Sequence, residues 1–436
     1  MQFIKKFIVF ILTVEARLIL RKYKPFIIAV TGSVGKTATK DAIFCALSSS
    51  GHVRKSDKSL NSEIGLPLTI IGVSTAWRSM SGWISNIQAG AQLIFNTVQY
   101  PKVLILEIGA DHPNDIKKVV KWLRPDIAVI TKVGDKPVHV EFFDSPAQVF
   151  EEKSALVRAV KPGSAVVLFA DEPKIVALGE ELKVKGIFVD TFGFAENSTI
   201  KGSDYAPHYE MIEGVKVPTG FTFTLTVGSE KKIITVKKVI GQTFIYPLLA
   251  AVAVAQIRKI DLSEVIENIN AYEAPKGRMN IIAGKHGSTL IDDTYNSSPD
   301  AVFAALDTLK GLECSGKKIA VLGDMMELGQ YSADEHRSVG KKVVGTADKL
   351  VAIGPRTKTL VEEAIAQGMK EDTITWYASS TEAGEGLANL ISTGDIVLIK
   401  GSQSPRLERV TKALMADPAQ AESLLVRQEK EWLEKK

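Results

Sequence analysis

Seven consecutive residues carry the strongest chemical signal in this chain: Thr31-Gly32-Ser33-Val34-Gly35-Lys36-Thr37, set between the β-branched run FIIAV (26–30) and a helical stretch that begins near Ala38. Glycines at such a junction let backbone N–H groups wrap an anion, and the helix N-terminus adds partial positive charge. A lysine at the end of the loop reaches the terminal phosphates of a nucleotide, and the following threonine hydroxyl can ligate Mg²⁺. The full pattern GxxxxGK[ST] would place glycine where Val30 stands, so this is a shortened phosphate loop. The alternative is a chance glycine turn. No GxGxxG follows a strand, which disfavours a dinucleotide cofactor, and no NKxD-like segment supports a GTPase.

A second set of residues stands at the ends of apolar runs. Glu107 closes VLILEIG (103–109), where a carboxylate at the carboxyl end of a parallel sheet faces the crevice that ligands use. It is a natural Mg²⁺ ligand beside the phosphates, against the plain reading of a solvated strand end. His139, in VGDKPVHVEFF (133–143), reads on its own as a surface histidine, and Lys153, in VFEEKSALV (149–157), as a solvated helix residue paired with neighbouring acids. In the second half, Arg278 sits in KGRMN, while Asp293 and Asn296 sit in IDDTYNSSPD (291–300). VLGDMMELG (321–329) and IKGSQSP (399–405), with Lys400, also follow strands.

The elements that must position these residues alternate. Short apolar runs at 26–30, 103–109, 126–134 and 165–169 are separated by helical stretches, which predicts a parallel sheet. Between about 186 and 240 the period becomes two, as in FTFTLTV (221–227) and IITVKKV (233–239), which predicts an appended antiparallel hairpin region, followed by a helix from Pro247 to Arg258. After YEAPKGRMN (272–280) a second βα series begins: STLID (288–292), KIAVLG (318–323), KLVAIG (349–354) and DIVLIKG (395–401). The fold class is α/β. A central phosphate-loop domain with a parallel sheet and a small antiparallel region (25–275) precedes a Rossmann-like α/β domain (276–436), and an amphipathic helix (1–24) leads.

Composition agrees with an enzyme-sized globular protein. The 436 residues are 45% hydrophobic and 24% charged, which argues against disorder and against a polytopic membrane protein. A net charge of +4 is too small over this length to make nucleic acid the main partner. Two distant cysteines, Cys45 and Cys314, fit a reducing cytoplasm. The first run, FIKKFIVFILTVEARLIL (3–20), is broken by charges, too short to span a bilayer, and lacks a cleavage site for secretion. Ile4, Phe7, Ile8, Ile11, Val14 and Leu18 recur at helical spacing and give one greasy face, with basic residues beside it. Two readings follow: a helix docked on its own domain, or peripheral membrane contact through residues 1–22.

Taken together, TGSVGKT, NSEIGLP (61–67), LEIGADHPNDI (106–116), His139-Val140-Glu141, IDDTYNSSPDA and VLGDMMELG resemble the Mur ligase family, in the expected order and from about residue 25 to 416. The resemblance is to the members that add D-alanyl-D-alanine to a UDP-muramoyl tripeptide. It implies an ATP-dependent amide (peptide) ligase of cytoplasmic peptidoglycan precursor synthesis, working through an acyl phosphate. By the family's motifs, Thr31, Gly32, Ser33, Val34, Gly35, Lys36 and Thr37 hold the ATP phosphates, and Thr37 and Glu107 a first Mg²⁺. Glu107, His139 and a carbamylated Lys153 hold a second Mg²⁺. The catalytic set is Lys36, Glu107, His139, Lys153 and Arg278. Arg278 meets the γ-phosphate, Asp293 and Asn296 contact the nucleotide, and Asn61 lies in a segment associated with the muramoyl peptide.

The departures matter as well. The family usually has an additional N-terminal domain for the uridine diphosphate end, whereas about 24 residues precede Phe26; the sequence reads as a chain without that domain. Near the adenine a histidine-asparagine pair is replaced by QTFIYP, with Thr243, Phe244 and Pro247. After Lys153 a glycine-glutamate pair becomes Ser154-Ala155. Three other readings stay open: a ligase or amidating subunit acting on a lipid-linked cell-wall precursor, a related ligase extending polyglutamate or another amino-acid chain, and a nucleotide-binding homologue without ligase activity.

Overall fold

Apolar strands covered on both faces dictate the first half of the architecture. In the computed structural model of the chain, residues 2–57, 60–76, 79–135, 140–161, 163–388 and 390–434 are described, with backbone only for 2–5. The chain divides into two compact units: residues 1–203 with 225–232 and 245–272, and residues 204–224 with 233–244 and 273–436.

The first unit opens with α1 (Gln2–Tyr23), β1 (Phe26–Thr31), α2 (Lys36–Ala46), β2 (Val53–Lys55), α3 (Gly65–Ile71) and α4 (Met80–Phe95). It continues through β3 (Val103–Glu107), α5 (Asp115–Val119), β4 (Ile127–Ile130), α6 (Pro146–Arg158), β5 (Ala165–Phe169), α7 (Pro173–Val184) and β6 (Phe188–Gly193). These strands lie parallel in the order β2-β3-β1-β4-β5-β6. Every residue of β3, β4 and β5 is buried, as expected where helices cover both faces. The register pairs Val30 with Glu107, so the phosphate loop and the carboxylate leave the sheet side by side. Helix α6 is started by Ser145, whose hydroxyl accepts from Gln148 N, with Pro146 in its first turn.

The sheet order continues through β7 (Ile200–Ile212), β8 (Val215–Val227) and β9 (Glu230–Lys237). Two-residue links at 213–214 and 228–229 force antiparallel returns, and Glu213 and Gly214 both have the positive φ that such a turn requires. Then come α8 (Ile245–Ile257), buried almost all round, and α9 (Leu262–Asn270).

Helix α1 docks on α3 and α4. Its buried face is not the stripe read from the sequence: Ile8, Leu12, Ala16 and Ile19 face inward, whereas Phe7, Val14 and Leu18 are exposed. Two apolar stripes compete on this helix, and the one carrying the small residue Ala16 allows the closer approach. Lys22 Nζ donates to Leu93, Ile94 and Asn96 carbonyls at 3.0, 2.9 and 2.6 Å, placing a cation on the C-terminus of α4. Lys24, at φ 46°, and Pro25 end α1.

The second unit's sheet holds β10 (Asn280–Ala283), β11 (Thr289–Asp293), β12 (Lys318–Gly323), β13 (Lys349–Ile353), β14 (Ile374–Tyr377) and β15 (Ile396–Lys400). The order is β10-β11-β15-β12-β13-β14, parallel except for β10. This is the α/β unit that the second βα series predicts.

Candidate functional site

The loop after β1 is shaped by contacts that only glycine permits. Gly32 has φ 147°, and a Cβ there would lie 1.9 Å from Thr131 Oγ1. Gly35, at φ 85°, turns the chain into α2, which begins at Lys36. Ser33 N and Val34 N donate to Lys132 O at 2.9 and 3.1 Å, and Thr131 Oγ1 donates to Val34 O at 2.7 Å. The loop is thus anchored to the end of β4. Lys36 Nζ lies 3.5 Å from Ser33 O. The Ser33 hydroxyl is buried with no hydrogen-bond partner among the described residues, an orphan that an anion in the loop would satisfy.

Glu107 is the centre of a polar cluster beside this loop and is 2% exposed. One carboxylate oxygen accepts from Thr37 Oγ1 at 2.9 Å, the other from Asn61 Nδ2 at 3.2 Å. Its backbone N–H donates to Ser56 Oγ at 3.2 Å. Buried Lys40 donates to Ser56 O at 2.7 Å and stands 3.9 Å from Glu107 Oε2. A hydroxyl and a carboxylate next to each other are the hard oxygen donors that Mg²⁺ takes, and both suit that ion. Among the described residues no group of three His, Cys, Asp or Glu side chains is placed to hold a metal.

Lys153 comes to the same place from α6. It is buried, and its Nζ donates to Gly32 O at 3.0 Å, beneath the loop. Burial, and then the charge of Lys36, push its pKa down to about 7, against the pull of Asp111 and Glu152. Neighbouring Glu152 is buried too and accepts from Asn114, Ile116 and Lys117 N–H at 3.0, 2.7 and 3.1 Å, fixing the start of α5. Both side chains therefore differ from the solvated pair that the local sequence suggests. His139 lies outside the described residues.

The structure thus gathers Lys36, Thr37, Asn61, Glu107 and Lys153 around one loop. A cavity of about 250 Å³ opens beside them, lined by Val9, Thr13, Asn61, Gly109, Asp111 and Trp122 among others. Sequence reasoning missed Lys40, Asp111, Glu152 and Thr131. Thr131 had a visible signal, because it follows the strand paired with β1.

In the second unit, Arg278, Asp293 and Asn296 form a separate cluster at the ends of β11 and β15. Lys400 Nζ donates to Asp293 Oδ2 at 2.6 Å and to Asn296 O at 3.0 Å. Burial pulls the Lys400 pKa down, and Asp293 opposes it. The Arg278 guanidinium lies 4.3 Å over the Tyr295 ring. Thr243 and Phe244 fall in one tight turn, with Phe244 buried.

Comparison with known proteins matches residues 30–255 to the Mur ligase middle domain and residues 277–403 to the Mur ligase, glutamate ligase domain. The UDP-N-acetylmuramoyl-tripeptide–D-alanyl-D-alanine ligase of Bacillus subtilis (strain 168) is 25% identical over 394 residues, 90% of this chain and 76% of the relative. The enzyme of the same name from Mycobacterium tuberculosis (strain CDC 1551 / Oshkosh) is 29% identical over 412 residues, 90% of this chain and 73% of the relative. The crystal structure of MurF ligase from Thermotoga maritima in complex with ADP superposes with a TM-score of 0.75 at 25% identity, covering 95% of this chain and 84% of that one.

Proposed function

Since the chain belongs to the Mur ligase family of ATP-dependent ligases, we propose that it joins D-alanyl-D-alanine to the terminal carboxylate of a UDP-muramoyl tripeptide in the cytoplasm. The carboxylate oxygen attacks the γ-phosphorus of ATP and ADP leaves. The amine of D-alanyl-D-alanine then attacks the acyl carbon, loses a proton and expels phosphate. The observation that carries this reading is the convergence of Lys36, Thr37, Glu107 and Lys153 on one phosphate loop, beside a cavity that reaches Asn61 and Asp111.

Phosphoryl transfer needs positioning and charge neutralisation more than side-chain covalent chemistry. The loop N–H groups and the start of α2 orient the phosphates, Lys36 carries positive charge to the transferred group, and Asn61 fixes the Glu107 carboxylate. Thr37 and Glu107 would hold a Mg²⁺, which would supply further charge neutralisation when bound. Lys153 has the depressed pKa that lets a free amine attack CO₂, lose a proton and become an anionic carbamate, and a carbamate would join Glu107 and His139 around a second Mg²⁺. In the second unit, Arg278 is assigned to the γ-phosphate and Asp293 with Asn296 to the nucleotide.

The test is a mass-spectrometric ligation assay with Mg·ATP, bicarbonate, UDP-muramoyl tripeptide and D-alanyl-D-alanine, run beside Lys36→Ala. A pentapeptide product absent from the variant is expected. ADP release indifferent to both substrates would overturn the reading.

One observation favours a second reading, an acceptor carried on a lipid surface. Phe7 and Phe10 are 58% and 65% exposed, with Lys6, Arg17 and Arg21 also exposed on α1, as on helices that lie in an anionic interface. No helix of the described residues is long and apolar enough to cross a membrane. Sedimentation with anionic vesicles tests it, comparing the chain with Phe7→Asp/Phe10→Asp, which spares the buried face of α1. Equal recovery of both in the supernatant would exclude it.

A further inference from the structure

Helix α1 and the segment after α5 wall two hollows that share Trp122. One is the cavity beside Asn61 and Gly109. The other, about 430 Å³, opens where β1 begins, the end of the strand opposite the phosphate loop, among Arg17, Arg21, Lys24, Lys121 and Arg124. The one acid in its lining, Asp126, is already engaged by Lys161 Nζ at 2.7 Å and Ile27 N–H at 2.8 Å. None of the five cations takes part in an ion pair among the described residues. Both walls are free of acids in sequence, because residues 16–40 and 116–125 contain no aspartate or glutamate. Five like charges around one hollow repel each other, and an anion of high charge density relieves that repulsion. Three of them are arginines, whose planar forks suit paired phosphate oxygens.

We infer that this hollow binds the diphosphate of the acceptor substrate, an inference that rests on the muramoyl-peptide acceptor proposed above. The two hollows lie along one stripe of α1, with Val9 and Thr13 in one and Arg17, Arg21 and Lys24 in the other. Val9 and Arg21 are about 18 Å apart at ~1.5 Å per helical residue. An extended tripeptide covers up to about 10 Å of that distance, and the sugar with its lactoyl ether covers the remainder, passing Trp122. The diphosphate then sits at one end of the groove and the reacting carboxylate at the other, beside Glu107. A soluble nucleotide and a lipid-linked precursor both present this group.

Calorimetry with inorganic pyrophosphate tests the site, with the phosphate loop kept occupied by saturating Mg·AMPPNP. Wild type is expected to bind, and Arg21→Ala/Arg124→Ala to bind at least tenfold more weakly while keeping its AMPPNP affinity. Should the double variant misfold, Lys24→Ala, at an exposed position, is expected to weaken binding severalfold. Failure of wild type to bind, binding undiminished in the variants, or inorganic phosphate binding as tightly as pyrophosphate would overturn the inference. Uridine diphosphate and farnesyl diphosphate identify the source: tighter binding of the first marks a nucleotide, of the second a lipid. The ligation assay separates the two claims. Product formation without pyrophosphate binding refutes this site alone, whereas pyrophosphate binding without product refutes the proposed reaction.

Discussion

Replacing Lys153 with methionine should stabilise the protein most at neutral pH and progressively less as the pH rises. The amine is buried, and its pKa falls from the ordinary 10.5 to about 7, chiefly by desolvation and then by the charge of Lys36. At about 1.4 kcal/mol for each tenfold change, the buried ammonium costs roughly 5 kcal/mol. Below pH ~7 the group is protonated in both folded and unfolded chains, so the whole cost is present. Above that, the folded chain has lost its proton while the unfolded chain keeps it until about 10.5, so unfolding takes up a proton and stability rises with pH. Between pH 7 and 9 this one lysine therefore recovers about 2 kcal/mol. Methionine fills nearly the same space without a charge. Urea denaturation of both proteins at pH 6, 7, 8 and 9, in buffer stripped of CO₂, reads the difference directly. The advantage of Lys153→Met should be level from pH 6 to 7 and shrink by about 2 kcal/mol by pH 9. A constant difference, or one that grows, would refute the claim that the amine under Gly32 is desolvated.

Other perturbations probe the rest of the site. Glu107→Gln keeps the shape but removes the anion shared by Thr37 and Asn61, so kcat should fall about 10²-fold or more in steady-state kinetics. Gly32→Ala puts a methyl group into Thr131 at a φ of 147°; calorimetry should show ATP affinity reduced at least tenfold, beside a lowered Tm. Glu15, buried at α1 with one oxygen unpartnered among the described residues, has its pKa raised to about 7 by desolvation. Its carboxylate is destabilising once ionised, a penalty lost as pH falls through 7, so Glu15→Gln should raise Tm at pH 8 and change it little near pH 4.

How far the sequence reveals this arrangement depends on where each constraint resides. The phosphate loop is legible because its constraint is in the backbone: two glycines at positive φ and a helix start at Lys36 leave few alternative residues. Glu107 is legible because a carboxylate ending the run VLILE has one natural place to go, the crevice at the strand ends. The long strand β7 is not, since Gly202, Asp204 and Pro207 all read as strand breakers; a half-exposed ribbon tolerates them where a central strand would not. The packed face of α1 is not legible either, because Phe7, Val14 and Leu18 are as apolar as the residues that pack, and composition alone cannot rank two greasy stripes on one helix.

Lys153 shows where the missing information lies. Read locally, Glu151, Glu152 and Lys153 are a charged run on a helix surface. Yet the buried positions of α6 are Val149, Glu152, Lys153, Ser154, Leu156 and Val157, so that two charges and a hydroxyl lie inside a stripe whose apolar members recur at helical spacing. A charge on the core face of an amphipathic helix must find a partner or lose its ionisation. Glu152 finds three N–H groups at the start of α5, and Lys153 finds one carbonyl and a depressed pKa. The two neighbours thus meet burial with different partners. Glu152 holds the segment that carries Asp111 toward the cavity, while Lys153 has the depressed pKa that favours a free amine beneath the loop. A charge-swapped pair at these positions would supply neither the anchor for α5 nor the amine beneath the loop. The order glutamate then lysine is therefore required by the site, even though helix propensity is indifferent to it.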